Sequence, residues 1–315
     1  MIHVENLSKH FGEVNAIQEI DFTVNDGEIL GFLGPNGAGK TTTLRIITTF
    51  LTPSGGRVTV DDLDVAEHSA EIRKRIGYLP ELNPLYDEML VYEQLRFVAE
   101  SRNIVGRWFT EALHRVIDVC GIKEVIHRPV GELSKGYRQR VGLAMAIIHD
   151  PDILILDEPS AGLDPNQIVE IRELIKQLGR EKTVIMSSHI LQEVQEVADR
   201  MVILNNGQVV ADGTTAELMA GFEGKASLNL DVKSASEASV TGLTRKFTDI
   251  KVRENSLHDG HGHLLLEYST GHDLREQIFH YAVESGWIIL EMSRTQAKLE
   301  DLFRKLTIEN GGPHA

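Results

Sequence analysis

Residues 34–42, GPNGAGKTT, limit what this chain can fold into more than any other stretch. They have the spacing G-x-x-x-x-G-K-[ST], with Gly34, Gly39, Lys40 and Thr41 in the fixed places. The apolar run Ile29-Leu30-Gly31-Phe32-Leu33 precedes the loop and the helical Leu44-Arg45-Ile46-Ile47 follows it, so it reads as a strand-to-helix connection. Glycines at such a turn let successive backbone N–H groups face inward on an anion without a Cβ clash. The helix that follows directs the positive end of its dipole at the same point. A phosphate chain suits that cradle, with Gly34, Pro35, Asn36, Gly37, Ala38, Gly39 and Thr42 around it. Lys40 would bridge the terminal phosphates and the Thr41 hydroxyl would ligate Mg²⁺. A glycine-rich loop that binds nothing is the competing reading, and the flanking strand and helix argue against it.

Composition narrows the setting. At 315 residues the chain has room for one large and one small domain. No run of about 18 apolar residues occurs, and MIHVENLSKHF at the start lacks a basic segment followed by an apolar one, so neither a membrane span nor a secretory leader is expected. A net charge of −15 argues against a duplex-binding surface, which needs clustered Lys and Arg; no nucleic acid partner is expected. The single cysteine, Cys120, excludes an internal disulfide and fits a reducing compartment. It lies in the helical apolar pattern Ala112, Leu113, Val116, Ile117, Cys120, which predicts a packed core thiol rather than a nucleophile.

Taken in order, residues 2–7, 14–24 and 28–32 alternate between apolar and polar and predict an antiparallel β-rich lead-in to the loop. Phe11 stands among polar neighbours, placed either to pack or to stack on a base. A strand at 57–60, a polar helix over 66–75 and a short strand at 76–79 follow. Helical spacing over 91–120 predicts a helical insertion, and a further helix runs from Leu133-Ser134-Lys135-Gly136-Tyr137 to His149. The run Ile153-Leu154-Ile155-Leu156-Asp157-Glu158 looks like a buried parallel strand ending in two carboxylates at a site. Helix 167–178, strand 183–186, Ser187-Ser188-His189, a helix through Val197 and a hairpin about Asn205-Asn206-Gly207 complete the large domain. From about residue 225 the order β, α, β, β, α, β, α predicts a small α+β module of the ferredoxin-like kind. There His258, His261 and His263 read either as metal ligands or as a polar hairpin tip.

Beside a phosphate loop, Asp157 belongs at Mg²⁺, and Glu158 would point at a γ-phosphate and position or deprotonate the attacking water. His189 follows a neighbouring strand, within reach of the same phosphate. These features together resemble the ATP-binding-cassette (ABC) transporter ATPases over residues 1–220. The diagnostic stretch is Leu133-Ser134-Lys135-Gly136-Tyr137, which matches the family signature loop at its Leu, Ser and second Gly. Ser160-Ala161-Gly162-Leu163-Asp164 and His189 follow in the family order. The resemblance implies an α/β fold: a P-loop NTPase cassette with a mixed sheet, an antiparallel β lead-in and a helical insertion over about 88–150, followed by the accessory module at 225–315. It implies that Phe11 stacks on adenine, Glu158 is the catalytic glutamate, and His189 holds the γ-phosphate. It also implies that Asp164 lies in the loop linking the two sites of a dimer, and that Ser134 and Gly136 touch the γ-phosphate of ATP held by the opposite subunit. The implied active unit is a head-to-tail pair of cassettes with two ATP and Mg²⁺ at its interface.

Two departures refine the resemblance. Glu81 stands where the family has a Gln near the metal, and Lys135 and Tyr137 replace signature residues. The latter changes, and the C-terminal extension, resemble the ABC-2 export branch, which includes drug, polysaccharide and gliding-motility ATPases. That branch implies an ATP-hydrolysing subunit lying peripherally on the cytoplasmic face of the membrane and driving an integral membrane permease. By the same resemblance residues 82–92 form the groove that receives a cytoplasmic helix of that permease; internal packing of the insertion is the alternative. A soluble ABC ATPase working on ribosomes or nucleic acid is the competing function. Its translation-factor members carry two cassettes per chain, and its repair members carry zinc cysteines or long coiled coils, none of which occur here.

Overall fold

A computed structural model describes residues 1–221, 225–258, 261–269, 273–295 and 299–309. Among these it forms two compact units, Met1–Thr215 and Ala216–Asn310. The first runs β1 (Ile2–Phe11), β2 (Val14–Val24), β3 (Ile29–Leu33), α1 (Lys40–Ile47), β4 (Gly55–Val60), β5 (Leu63–Asp64), α2 (Ser69–Arg75) and β6 (Ile76–Leu79). It continues through α3 (Val91–Ser101), α4 (Arg107–Cys120), α5 (Lys135–Ile147), β7 (Ile153–Asp157), α6 (Pro165–Gly179), β8 (Thr183–Ser188), α7 (Leu191–Gln195), β9 (Arg200–Asn205) and β10 (Gln208–Gly213). The element α8 (Thr215–Gly221) follows.

The central sheet has the order β10-β9-β3-β8-β7-β6, parallel except for the β9–β10 hairpin. Every residue of β3, β7 and β8 is buried, which is why these strands read as continuous apolar runs instead of alternating ones. Their register pairs Leu33 with Ser188 and Asp157 with Ser187. Three loops therefore leave the sheet at one edge: the glycine loop, Glu158 onward, and His189 onward.

A second, antiparallel sheet, β2-β1-β4-β5, packs with α1 on one face of the central sheet around Ile2, Leu7, Ile20, Phe22 and Phe32. The Phe22 and Phe32 rings lie 5.3 Å apart. On the other face, α3, α4, α5 and α6 enclose Leu95, Val116, Cys120, Val141 and Leu154. Cys120 is fully buried and its thiol is pushed up to about 12 by desolvation, as a packed core residue requires. Helix ends follow local chemistry: Glu93 accepts from the Leu90 N–H ahead of α3, Ser134 from the Tyr137 N–H at α5, and Asp164 from the Gln167 N–H at α6.

Some boundaries differ from the sequence expectation. The polar helix starts at Ser69 instead of 66, because Asp64 accepts the Ala66 N–H and turns the chain there. The helix after His189 ends at Gln195, short of Val197.

The second unit is β11 (Lys225–Lys233), α9 (Glu237–Lys246), β12 (Lys251–His258), β13 (His261–Ser269), α10 (Arg275–Glu284), β14 (Ile288–Thr295) and α11 (Leu299–Arg304), with a final turn over Lys305–Glu309. Its all-antiparallel sheet runs β12-β13-β11-β14, the ferredoxin-like arrangement that the βαββαβ order predicts. Leu228, Leu230, Leu243, Leu264, Leu266 and Ile278 form its core. Phe247 ends α9 and packs against this core. The histidine-rich turn is the β12–β13 hairpin: His258 pairs with His261, and His263 Nδ1 lies 2.6 Å from Asp231 Oδ1. Asp259 and Gly260 lie outside the described residues. Among the described residues no group of three or more His, Cys, Asp or Glu side chains is arranged to hold a metal.

Candidate active site

The glycine loop, the end of β7 and the end of β8 enclose a cavity of about 310 Å³. Asn36, Gly37, Ala38, Gly39, Lys40, Thr41 and Thr42 line it, with Glu81, Glu158 and His189 opposite. Ala16 from β2 and Ala161 complete the lining. Gly39 shows why the loop needs its glycines. Its φ is +104°, and a Cβ there would sit 2.6 Å from the Ala16 carbonyl oxygen, so any other residue would push the loop off β2.

Lys40 is buried, and its ammonium donates to the Gly34 carbonyl at 2.7 Å and the Pro35 carbonyl at 3.2 Å. It also lies 3.3 Å from Glu158 Oε1. The other Glu158 oxygen, Oε2, is 2.8 Å from His189 Nδ1. Glu158 thus spans the two basic groups that, among the described residues, line the cavity, and it does so from a left-handed backbone conformation with φ +48°. That conformation costs a side-chain-bearing residue about 1–2 kcal/mol, and its Ala161 N–H to Glu158 carbonyl bond at 3.0 Å holds the turn.

Asp157 is fully buried. One oxygen, Oδ1, accepts from Ser187 Oγ at 2.7 Å and Thr41 Oγ1 at 3.1 Å; the other, Oδ2, has no hydrogen-bond partner. Burial raises its carboxyl above the ordinary range, and the charge of Glu158 adds to the shift against the two hydroxyl bonds. A buried carboxylate with a spare oxygen, beside the loop threonine, is the donor set that a hard divalent cation takes. Glu81 is exposed on the same cavity and offers a second oxygen ligand.

The remaining sequence-predicted residues lie apart from this cavity. Phe11 ends β1, half exposed, with the Lys9 ammonium 5.1 Å above its ring. Ser134 and Gly136 line a different cavity of about 460 Å³, with Tyr137, Arg140, Gln167 and Glu170. Asp164 caps α6. Sequence reasoning gave Ser160, Ser187 and Ser188 no role of their own and did not single out Glu193. Ser187 bridges Asp157 to the Glu158 N–H, at 2.7 and 2.9 Å. Only the parallel register of β7 on β8 reveals that bridge.

With this geometry in place, comparison with known proteins gives a consistent result. Residues 17–161 match the ABC transporter family model. The chain is 39% identical over 224 residues to the ABC transporter ATP-binding protein NatA of Bacillus subtilis, covering 69% of this chain and 91% of that one. It is 30% identical over 310 residues to the bacitracin transport ATP-binding protein BcrA of Bacillus licheniformis, covering 97% of each. A solved ATP-binding subunit of an ABC transporter superposes with a TM-score of 0.64 at 29% identity, over 70% of this chain and 93% of that one. The chain belongs to the ABC transporter ATP-binding proteins, and its first unit is an ATP-hydrolysing cassette. Such subunits pair as dimers and work with membrane subunits.

The raised carboxyl of Asp157 gives a test of the site. Folding favours its neutral form, so that contribution to stability is present at acid pH and lost as pH rises through the folded-state value. At neutral pH the ionised group penalises the fold. Asp157→Asn is expected to raise the thermal midpoint at pH 7, with the gain shrinking as pH falls through the raised folded-state value and gone below pH 3.8, the ordinary carboxyl value, while Mg²⁺-dependent ATP affinity falls. A lower midpoint at pH 7 in calorimetry would contradict the assignment.

Proposed function

We propose that this chain is the ATP-hydrolysing subunit of an ABC-2 type exporter, peripheral on the cytoplasmic face of the membrane, with an integral permease as partner. The observation that carries the catalytic part is the placing of Glu158 between Lys40 and His189. A triphosphate entering the glycine loop competes with Glu158 for Lys40. The carboxylate then faces the γ-phosphate with His189 beside it, where it orients and deprotonates the attacking water. Mg²⁺, when bound, would neutralise charge on the triphosphate; Thr41, Asp157 and Glu81 are the residues that would hold it. Phe11 supplies a face for adenine.

The signature residues belong to the partner's reaction. Ser134 is exposed and caps α5, and together with Gly136 it stands on a cavity separate from the one that Lys40 lines. A second helix N-terminus suited to phosphate, away from the chain's own phosphate cavity, fits a γ-phosphate delivered by another cassette. Two ATP molecules then bridge two subunits, and hydrolysis removes the bridge. The full-length similarity to a bacitracin transport protein, second unit included, supports the export assignment.

For the permease, a mostly apolar cavity of about 270 Å³ is lined by Phe50, Pro80, Asn83, Pro84, Val98 and Met145 among others. Phe50, Leu82 and Tyr86 are exposed about it in sequence, at 71%, 86% and 55%. Tyr86 meets Phe97 edge-on at 6.1 Å. Leu85 instead packs against the core of the helical insertion.

Two outcomes are expected. Glu158→Gln lowers ATP turnover by about 10²–10⁴-fold and keeps bound ATP; unchanged turnover would refute its role. Leu82→Asp and Tyr86→Asp release the chain from membranes containing its permease without changing ATP affinity, whereas Leu85→Asp lowers the thermal midpoint because it strikes the core. Membrane retention by both exposed variants would exclude the groove.

A further inference from the structure

Glu193 takes no part in the chemistry described so far, yet its geometry ties together the two loops that carry Glu158 and His189. It lies in α7 and is 5% exposed, an uncommon position for a carboxylate. A single oxygen, Oε2, accepts from Ser160 Oγ, two residues after Glu158, and from Ser188 Oγ at 2.8 Å, one residue before His189. Ser188 Oγ in turn accepts the Ile190 N–H at 3.0 Å, which closes the turn around His189. Ser160 and Ser188 are themselves buried, so neither hydroxyl has water as a ready substitute. The helix is held down by close packing as well: a Cβ on Gly31 of β3 would fall 2.0 Å from Val194 Cγ1, so α7 rests on bare backbone of the strand feeding the glycine loop.

We infer that Glu193 is a positioning residue for ATP hydrolysis, its carboxylate clamping the turn after Glu158 to the turn before His189 so that base and histidine keep the spacing that the γ-phosphate requires. The inference rests on the roles proposed above for Glu158 and His189. Two charge-assisted bonds converging on one oxygen fix the relative position of two loops that, among the described residues, share no other side-chain link than the Glu158–His189 contact itself and the Ser187 bridge.

The test compares Glu193→Ala, Glu193→Gln and Ser160→Ala with the wild-type full chain, by steady-state ATP hydrolysis and thermal unfolding. Misplacing a catalytic group by about 1 Å costs on the order of 10²-fold, so Glu193→Ala is expected to lower kcat by about 10- to 100-fold with the KM for ATP within about threefold. Glu193→Gln keeps an amide oxygen able to accept both hydroxyls and is expected to retain kcat within about threefold. Ser160→Ala removes one arm without touching the carboxylate and is expected to fall between the two. Wild-type kcat in folded Glu193→Ala overturns the inference, as does a loss matched by the unfolded fraction or shared equally by Ala and Gln. Glu158→Gln, measured alongside, separates the two levels: if it hydrolyses ATP normally, the site reading fails, and if it is inactive while Glu193→Ala is fully active, only the clamp fails.

Discussion

A buried ammonium sets the terms for this structure. Lys40 sits where three loops leave the central sheet, with two carbonyls and Glu158 as its partners. Leaving one member of a buried ion pair without the other costs about 3–5 kcal/mol, so an anion beside Lys40 is strongly favoured. Glu158 meets that need in the structure described here. In the proposed mechanism the γ-phosphate takes over, and the carboxylate is freed for water at the moment substrate arrives. In that mechanism charge balance couples the base to occupancy. Asp157 presents the complementary case, a buried carboxyl held above its ordinary range, whose charged form a cation would stabilise.

The departures from the family signature also find places. Tyr137 is half buried and packs against the core of the helical insertion, so the larger side chain serves α5 as a structural anchor. A Cβ on Gly162 would come within 1.9 Å of Lys135 Nζ, which shows that the Lys135 ammonium lies over the loop between Glu158 and Asp164. The residue in place of the first signature glycine therefore touches the loop of its own chain that ends at Asp164. Glu81 remains exposed at the cavity, placing a carboxylate where a neutral amide is usual.

Much of this was legible in residue order. The run Ile153–Asp157 announced a strand buried on both faces, and GPNGAGKTT announced the turn that follows another. The alternation after residue 225 gave the ferredoxin-like sheet, since βαββαβ has few right-handed ways to close. What stayed hidden depended on register or on competing local bonds. Ser187 meets Asp157 only because β7 and β8 pair in parallel with those residues adjacent. Glu193 reads in sequence as an ordinary surface acid four residues after His189, and its burial appears only once α7 lies on β3. The two-residue strand β5 carries no periodic signal of its own.

In the proposed mechanism phosphate is gripped by two chains, one through Lys40 and the other through the cap of α5. ATP turnover per chain, measured as protein concentration is raised with oligomeric state followed in parallel, tests this most directly. The shared site predicts that specific activity climbs with concentration and levels off as pairs form. Full specific activity in a verified monomer, unchanged on further concentration, would contradict it.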